Sequence, residues 1–350
     1  MWIKHEERAM TRILLERRSI IRKLAAVAAF CQFGQRIGIS QGFADEKVPD
    51  AASPDEAEES NIMAEVGLPT LGGMQFWGDL KYFRGFKVQR NVFTGHFRLL
   101  DADNRRYVSG SLEECESGLN KLRKSRNLEP DTGHAVIYLH GIGRSSRSLQ
   151  PIIKAMPKDG HVHVPFEYPS TRVPLEQSAE YLHSVMESLT DVSKISFVVH
   201  SMGGLIVRRY LKQHRDTRLH RMVMMGTPNN GAELADMLKG NFLFRTLYGP
   251  AGQELVTDSG GAIKSLPTPD FEFGIVAGGK GDASGYNRLL PGDNDGTVTV
   301  ASARLVGAVD FLLVSKIHSF LMSDETVIAA VRHFLEHGRF SPDRAAQPIV

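Results

Sequence analysis

The chain has 350 residues, of which 42% are hydrophobic, and this is enough for one large α/β domain with a sizeable core. Its 42 lysines and arginines nearly balance its 40 aspartates and glutamates, so the formal charge of +2 gives no whole-protein indication of nucleic-acid binding. The two cysteines, Cys31 and Cys115, form no metal or redox motif, which argues against a disulfide framework.

The segment 1–44 differs in composition from the rest of the chain. Several arginines precede a short apolar run, Leu24 to Phe30, and small residues follow at 42–44. This order is typical of a signal peptide, and the stretch that begins at Arg17-Arg18 resembles a twin-arginine export signal. We therefore expect an exported protein, periplasmic or secreted. The alternative is a basic amphipathic segment in a chain that is cytoplasmic or associated with a membrane surface.

The segment 45–66 is rich in prolines and carboxylates, which predicts a solvated, flexible linker. We predict a single domain over 67–340, followed by a C-terminal tail over 341–350. The first part of this domain contains two β-type segments, at 83–90 and 96–100, separated by Asn and Gly turn residues. We expect them to form antiparallel edge strands of a larger sheet.

From Ala135 onwards the pattern of strands and helices alternates. Short, continuously apolar runs are typical of strands that are buried on both faces of a parallel sheet. Connections of helical pattern lie between several of them, so we predict an α/β fold. The predicted elements are helix 112–128, strand 135–139, helix 146–156, strand 162–165, helix 175–189, strand 195–200, a helix after Gly204, strands beginning at 221 and 271, strand 309–314 and helix 324–336.

A glycine-containing loop, His140-Gly141-Ile142-Gly143, follows the first buried strand. The glycines leave the backbone free to turn its amides inward. Taken alone, the loop is better explained as a plain turn that leads into the next helix.

Ser201 lies where the apolar run 195–200 ends and the next helix begins, which predicts a sharp strand-to-helix turn. A serine there has its Oγ lifted clear of the sheet, close to helix N-terminal amides that can meet developing negative charge. Gly203 and Gly204 would let the helix pack close to the strand. A serine that only caps a helix is the alternative.

The stretch 232–269 has poor periodicity and contains Phe242, Phe244, Leu247, Tyr248 and Leu255 among glycines. A span of this length inside a compact domain is seldom an idle loop. A helical insertion packed on the core would account for it.

Two aspartates, Asp293 and Asp295, lie in the loop 291–298, and His318 follows the last predicted strand. The aspartates and Asn294 offer oxygen ligands for Ca²⁺, but the later glutamate of an EF-hand loop is missing. We therefore predict no metal and no cofactor.

Five features in chain order resemble the α/β-hydrolase superfamily, in particular its lipases and esterases. The elbow at 200–204 resembles the pattern G-x-S-x-G, although Val199 replaces the first glycine and its side chain could crowd the turn. The other four are the H-G loop at 140–141, a G-T-P-x-x-G segment at 226–231, an N-D-G sequence at 294–296, and His318. The resemblance implies an α/β-hydrolase fold with a mostly parallel central sheet, helices on both faces and a lid-like insertion at 232–269.

The resemblance also implies a chemistry, the cleavage of carboxylic esters through an acyl-enzyme. Ser201 would be the nucleophile, His318 the base and Asp295 the acid, with Asp293 as the reserve acid. The amides of Ile142 and Met202 would form the oxyanion hole. The substrate would be a small-molecule ester or a lipid, with peripheral contact to a lipid surface and no nucleic-acid partner; the oligomeric state stays open.

Two alternatives remain at this point. An acyltransferase or a thioesterase would use the same three residues, and a non-catalytic relative would keep the fold to bind a partner or a lipid. An intact set of Ser, Asp and His argues against the second. We do not expect His200 to be the base, because adjacent residues on a strand point to opposite faces.

Overall fold

The computed structural model describes residues 68–69, 74–157, 160–238, 249–255 and 262–350. These residues all belong to one compact unit, Asp55–Val350. The predicted signal-like segment 1–44 and the linker 45–66 lie outside the described residues, as do residues 239–248 and 256–261 of the insertion.

The first strands of the chain are β1 (Leu68–Pro69), β2 (Trp77–Phe83), β3 (Phe86–Asn91), β4 (Phe97–Leu100) and β5 (Arg105–Gly110). They form an antiparallel sheet with the order β1-β5-β4-β3-β2. The prediction of edge strands of the main sheet is wrong here, because within the described residues these strands form a sheet of their own. The prediction of a single strand over 83–90 is also wrong, because Arg84 and Gly85 have positive φ angles and make a two-residue hairpin turn.

Helix α1 (Leu112–Ser125) packs on this sheet. Ser111 and Glu114 form a capping box at its start, in which each side chain accepts a hydrogen bond from the other residue's backbone amide. One face of the helix is buried against the sheet in a small apolar cluster of its own: Phe83, Phe86, Val88, Leu99, Cys115, Leu119 and Leu122.

The strands predicted from continuous apolar runs are confirmed. They are β6 (Gly133–Leu139), β7 (His161–Phe166), β8 (Val192–His200), β9 (Leu219–Met225), β10 (Glu272–Gly278) and β11 (Asp310–Val314). These six strands form the main sheet, all parallel, in the order β11-β10-β9-β8-β6-β7.

Helices cover both faces of this sheet. The helices are α2 (Gln150–Ala155), α3 (Leu175–Ser188), α4 (Met202–Gln213), α5 (Glu233–Leu238), α6 (Val300–Ala303) and α7 (Glu325–His337), and residues 249–254 are also helical. On one face of the sheet α3 and α4 pack side by side, and on the other α2 and α7 share a core cluster with alternate residues of the central strands. Short 3-10 helices span Met74–Phe76, Ser146–Leu149, Ala262–Ser265 and His318–Ser323.

The strand order reverses between β6 and β8, which lie next to each other although β7 separates them in sequence. In open α/β sheets the loops at the carboxyl ends of two such strands leave a crevice, and ligands bind there. The loop after β6 begins at His140 and the turn after β8 holds Ser201, so the fold brings both predicted motifs to this crevice.

Candidate active site

Ser201 occupies the turn between β8 and α4 with φ 55° and ψ −124°. A non-glycine residue seldom adopts a positive φ, and such strain is typical of functional turns. The Ser201 amide donates to the Met225 carbonyl at 2.9 Å, which ties the turn to the end of β9. Val199 does not prevent the turn: it is a buried residue of β8 and pairs in regular register with Leu139 on β6 and Met224 on β9.

Two glycines allow α4 to start this close to the sheet. A Cβ atom on Gly203 would lie 2.7 Å from the Leu139 carbonyl oxygen, and one on Gly204 would lie 2.4 Å from Thr227 Oγ1. The close helix packing predicted from these glycines is thus present.

His318 and Asp295 form a buried pair. His318 Nδ1 lies 2.7 Å from Asp295 Oδ2. The other carboxylate oxygen, Oδ1, accepts the amides of Thr297 at 2.9 Å and Val298 at 2.7 Å. The carboxylate is therefore held in one orientation, and His318 Nε2 is the ring nitrogen left for other chemistry.

The imidazole of His318 lies beside the serine turn. Its ring centroid is 4.6 Å from that of His200, the residue before Ser201. A Cβ atom on Gly226, which follows β9, would lie 3.0 Å from His318 Cε1. Among the described contacts no hydrogen bond joins Ser201 Oγ to His318. Such bonds are often long without substrate and tighten in the complex.

The reserve acid, Asp293, has a different environment. Its two carboxylate oxygens accept the amides of Lys280 at 2.8 Å and Gly281 at 2.9 Å, so it holds the loop after β10. The structure thus brings Asp295, and not Asp293, to His318.

The two amides predicted for an oxyanion hole lie at the ends of β6 and β8. Among the hydrogen bonds between described residues, none has the Ile142 amide or the Met202 amide as its donor. The neighbouring Gly143 amide is used, because it donates to Ser170 Oγ at 3.0 Å. Gln75 supports this arrangement by accepting from Ser170 Oγ at 2.9 Å. Gln75 and Ser170 were missed from the sequence, where neither belongs to a motif.

His200 is buried and supports the backbone near His318. Its Nε2 donates to the His318 carbonyl oxygen at 3.1 Å. Burial, together with the nearby charge that His318 would carry, lowers the pKa of His200 well below its ordinary value. The ring is therefore neutral and is not placed to act on Ser201 as a base.

The described part of the insertion at 232–269 comprises α5, the helical residues 249–254 and the 3-10 helix Ala262–Ser265. Leu255 is buried. Four of the apolar residues named in this insertion lie outside the described residues: Phe242, Phe244, Leu247 and Tyr248.

Two further observations concern ligands and membranes. In the described ranges, no group of three or more His, Cys, Asp or Glu side chains is arranged to hold a metal ion. None of the helices found there combines the length and the apolar character needed to cross a bilayer.

Several solved structures align with the chain at low identity. Lipase BlEst2 of Bacillus licheniformis in its mature form is 19% identical, with 59% of this chain and 91% of that chain covered and a TM-score of 0.44. The lin2722 gene product of Listeria innocua is 18% identical, with 62% and 99% covered and a TM-score of 0.43. The metagenomic carboxyl esterase MGS0156 is 18% identical, with 59% and 74% covered and a TM-score of 0.41.

The comparison with curated proteins gave no match. Residues 126–249 match the family model of the alpha/beta hydrolase fold, a range that includes β6 to β9 and the turn at Ser201. This match and the doubly wound parallel sheet agree, and the chain has the α/β-hydrolase fold.

Proposed function

We propose that this protein is a serine hydrolase that cleaves carboxylic esters through an acyl-enzyme. The observation that carries the proposal is the buried His318–Asp295 pair, 2.7 Å apart, beside a serine on a strained strand-to-helix turn. A capping serine in an ordinary α/β protein has no need of such a pair.

In the first half of the reaction, Ser201 Oγ attacks the ester carbonyl carbon while His318 Nε2 takes the hydroxyl proton. The tetrahedral intermediate then loses the alcohol, which receives that proton from His318, and Ser201 carries the acyl group. In the second half, water attacks the acyl carbon while His318 Nε2 takes a proton from it; the intermediate then expels Ser201 Oγ, which receives that proton from His318, and the carboxylic acid leaves. Asp295 holds Nδ1 and stabilises the imidazolium that forms in each half.

The developing oxyanion would be bound by the amides of Ile142 and Met202. Each such donor is worth about 3 kcal/mol of barrier in comparable enzymes. The position of Met202 at the first turn of α4 adds the positive end of the helix dipole.

An apolar substrate, a small-molecule ester or a lipid, fits the surroundings of His318. Two apolar side chains close to His318 in sequence, Ile317 and Phe320, are 37% and 45% exposed, although His318 itself is buried. Exposed apolar side chains next to a site favour contact with an apolar chain or with a lipid surface.

The proposal is tested with a p-nitrophenyl ester and a fluorophosphonate probe. Ser201→Ala should abolish hydrolysis and labelling while the protein stays folded. Ser193→Ala, an exposed serine at the other end of β8, should change neither. Full hydrolysis by Ser201→Ala would rule out this nucleophile. Added alcohol or a thioester substrate separates hydrolysis from acyl transfer by the products that form.

We also propose that the protein is exported. The basic and apolar segments within residues 1–44 support this proposal. N-terminal sequencing of protein recovered from cell fractions should give a start close to residue 45 in the exported fraction. An intact Met1 on protein that remains in the cytoplasm would contradict export.

A further inference from the structure

A buried carboxylate reaches both ends of the loop 140–146, which carries Ile142. Glu167 comes directly after β7 and is 6% exposed. Its Oε1 accepts the Ser146 amide at 3.1 Å and also the Ser146 hydroxyl. Its Oε2 lies 3.4 Å from His140 Nε2. One side chain therefore bridges the first and last residues of the loop.

The residue next to Glu167 fixes the start of the same loop. The Tyr168 ring stacks on His140 with centroids 4.2 Å apart and planes 8° from parallel. The Tyr168 hydroxyl donates to the His140 carbonyl oxygen. His140 Nδ1 in turn donates to the Gly141 carbonyl at 2.9 Å. The ring of His140, its carbonyl oxygen and its Nδ1 are thus held by Tyr168 or by the loop itself.

Glu167 is itself anchored to the antiparallel sheet. Its amide donates to Asp79 Oδ2 at 2.8 Å, and the Asp79 amide donates to the Glu167 carbonyl at 2.9 Å. Lys87 Nζ lies 3.3 Å from Asp79 Oδ2, and Gln89 donates to Asp79 Oδ1 at 2.6 Å. The buried side chains of β2 and β3 therefore hold the position of Glu167.

The charge on the buried Glu167 carboxylate is stabilised by this conformation of the loop 140–146. Burial raises the pKa of Glu167, but His140, Lys87 and Ser146 outweigh it and hold that pKa below its ordinary value. Asp79 differs, because burial raises its pKa overall despite Lys87. An ionised buried carboxylate is stable only while its oxygens are satisfied. If the loop moved, Glu167 Oε1 would lose both donors of Ser146.

We infer that Glu167 is a positioning residue, which fixes the loop 140–146 so that the Ile142 amide is oriented for the oxyanion before substrate binds. The inference rests on the proposed function. Glu167 touches neither the substrate nor the reacting atoms; it acts through Ser146 and His140. An amide that is already oriented towards the oxyanion needs no reorganisation when the transition state forms, and this is why it lowers the barrier.

The test compares Glu167→Ala and Glu167→Gln with a matched control. In Glu167→Ala we expect kcat to fall about 10- to 100-fold with KM within about three-fold, because a misplaced donor acts at the transition state. The rate of fluorophosphonate labelling should fall in parallel. Glu167→Gln should retain more activity, since its carbonyl oxygen can still accept from Ser146. The control, Asp131→Ala, removes another buried carboxylate, which accepts the Arg84 amide at 2.6 Å.

Asp131→Ala should lower the melting temperature and leave kcat unchanged. A merely structural role for Glu167 would likewise leave kcat per labelled serine unchanged. If Glu167→Ala does not fold, Glu167→Gln and Ser146→Ala provide the test. A kcat within about two-fold of wild type in both variants overturns the inference. A wild-type protein that neither hydrolyses esters nor labels contradicts the proposed function instead.

Discussion

His318 and Asp295 are joined twice, by the 2.7 Å contact between Nδ1 and Oδ2 and by the His318 amide, which donates to the Asp295 carbonyl at 2.9 Å. Asp295→Asn keeps the shape of the side chain but places a neutral amide against Nδ1. We expect kcat for a p-nitrophenyl ester to fall about 10³- to 10⁴-fold, because the neutral ring is then held in the wrong tautomer.

Asp293→Asn is the matched comparison. Asp293 accepts two loop amides and lies away from His318 in the hydrogen-bond network, so we expect a loss of kcat of less than about ten-fold. If Asp293→Asn is the more damaging of the two substitutions, the acid has been assigned to the wrong aspartate.

Gly226 controls the space available to the imidazole. It has φ 58°, and a Cβ atom there would lie 3.0 Å from both Cε1 and Nδ1 of His318. Gly226→Ala should therefore displace His318 and lower kcat about ten-fold or more, in addition to a strain of about 1 kcal/mol from the positive φ.

The control for this substitution is Gly95→Ala. Gly95 has a similar φ of 68°, but a Cβ atom there would meet nothing within 4 Å. It should lose stability by about the same 1 kcal/mol and keep kcat. Steady-state kinetics and thermal melts separate the two effects, and equal kcat values would contradict the role given to Gly226.

His134, at the start of β6, should make the stability of the fold depend on pH. Its ring is within 5.4 Å of two other histidine rings, and its Nε2 lies 2.8 Å from Ser196 Oγ. Burial, followed by the neighbouring positive groups, lowers the pKa of His134 to about 4. The titratable or charged groups that act on it are His161, His220, Lys194 and Arg221.

An unfolded histidine has a pKa of about 6.5, so between roughly pH 6.5 and pH 4 the unfolded chain binds a proton at His134 that the folded chain does not. Stability from this group is complete above that window and is lost as the pH falls through it. His134→Gln should therefore show a smaller fall in melting temperature between pH 7 and pH 5 than wild type. His96→Gln, at an exposed histidine, should follow the wild-type curve.

The sequence predicted the main sheet well, because strands covered on both faces need continuous apolar runs, and such runs are local. From the order of Ser201, Asp295 and His318 along the chain we expected these residues to act together, and Asp295 and His318 are in contact. The boundaries were less accurate. The helix predicted to reach 128 ends at Ser125, because Asn127 has a positive φ of 47° and cannot continue it.

Partners that lie far apart in sequence could not be predicted. Glu167 and Asp79 are 88 residues apart, and each on its own is an ordinary charged residue. Periodicity identifies a strand but does not say which strand it pairs with, so the antiparallel sheet was assigned to the wrong place. Nothing local distinguishes Arg84 as a turn residue with positive φ.

Arg208, on α4, also bonds to residues that lie far from it in sequence, and these bonds affect stability. It is buried, and burial lowers its pKa to about 10, so it stays charged at neutral pH. Nη1 donates to the Asn229 carbonyl at 2.9 Å, Nη2 to that of Leu266 at 2.8 Å and Nε to that of Pro267 at 3.0 Å. The guanidinium thus ties α4 to the loop after β9 and to the end of the insertion.

Arg208→Lys should lower the free energy of unfolding by about 2–4 kcal/mol, because an ammonium group cannot reach three separate carbonyls and leaves buried acceptors unpaired. The adjacent Arg209 provides the control. It donates to Glu176 at 2.5 Å, and the Glu176 side chain is 54% exposed. Surface pairs contribute little, so Arg209→Lys should change stability by less than about 0.5 kcal/mol. Urea unfolding measures both, and equal effects would contradict the anchoring role of Arg208.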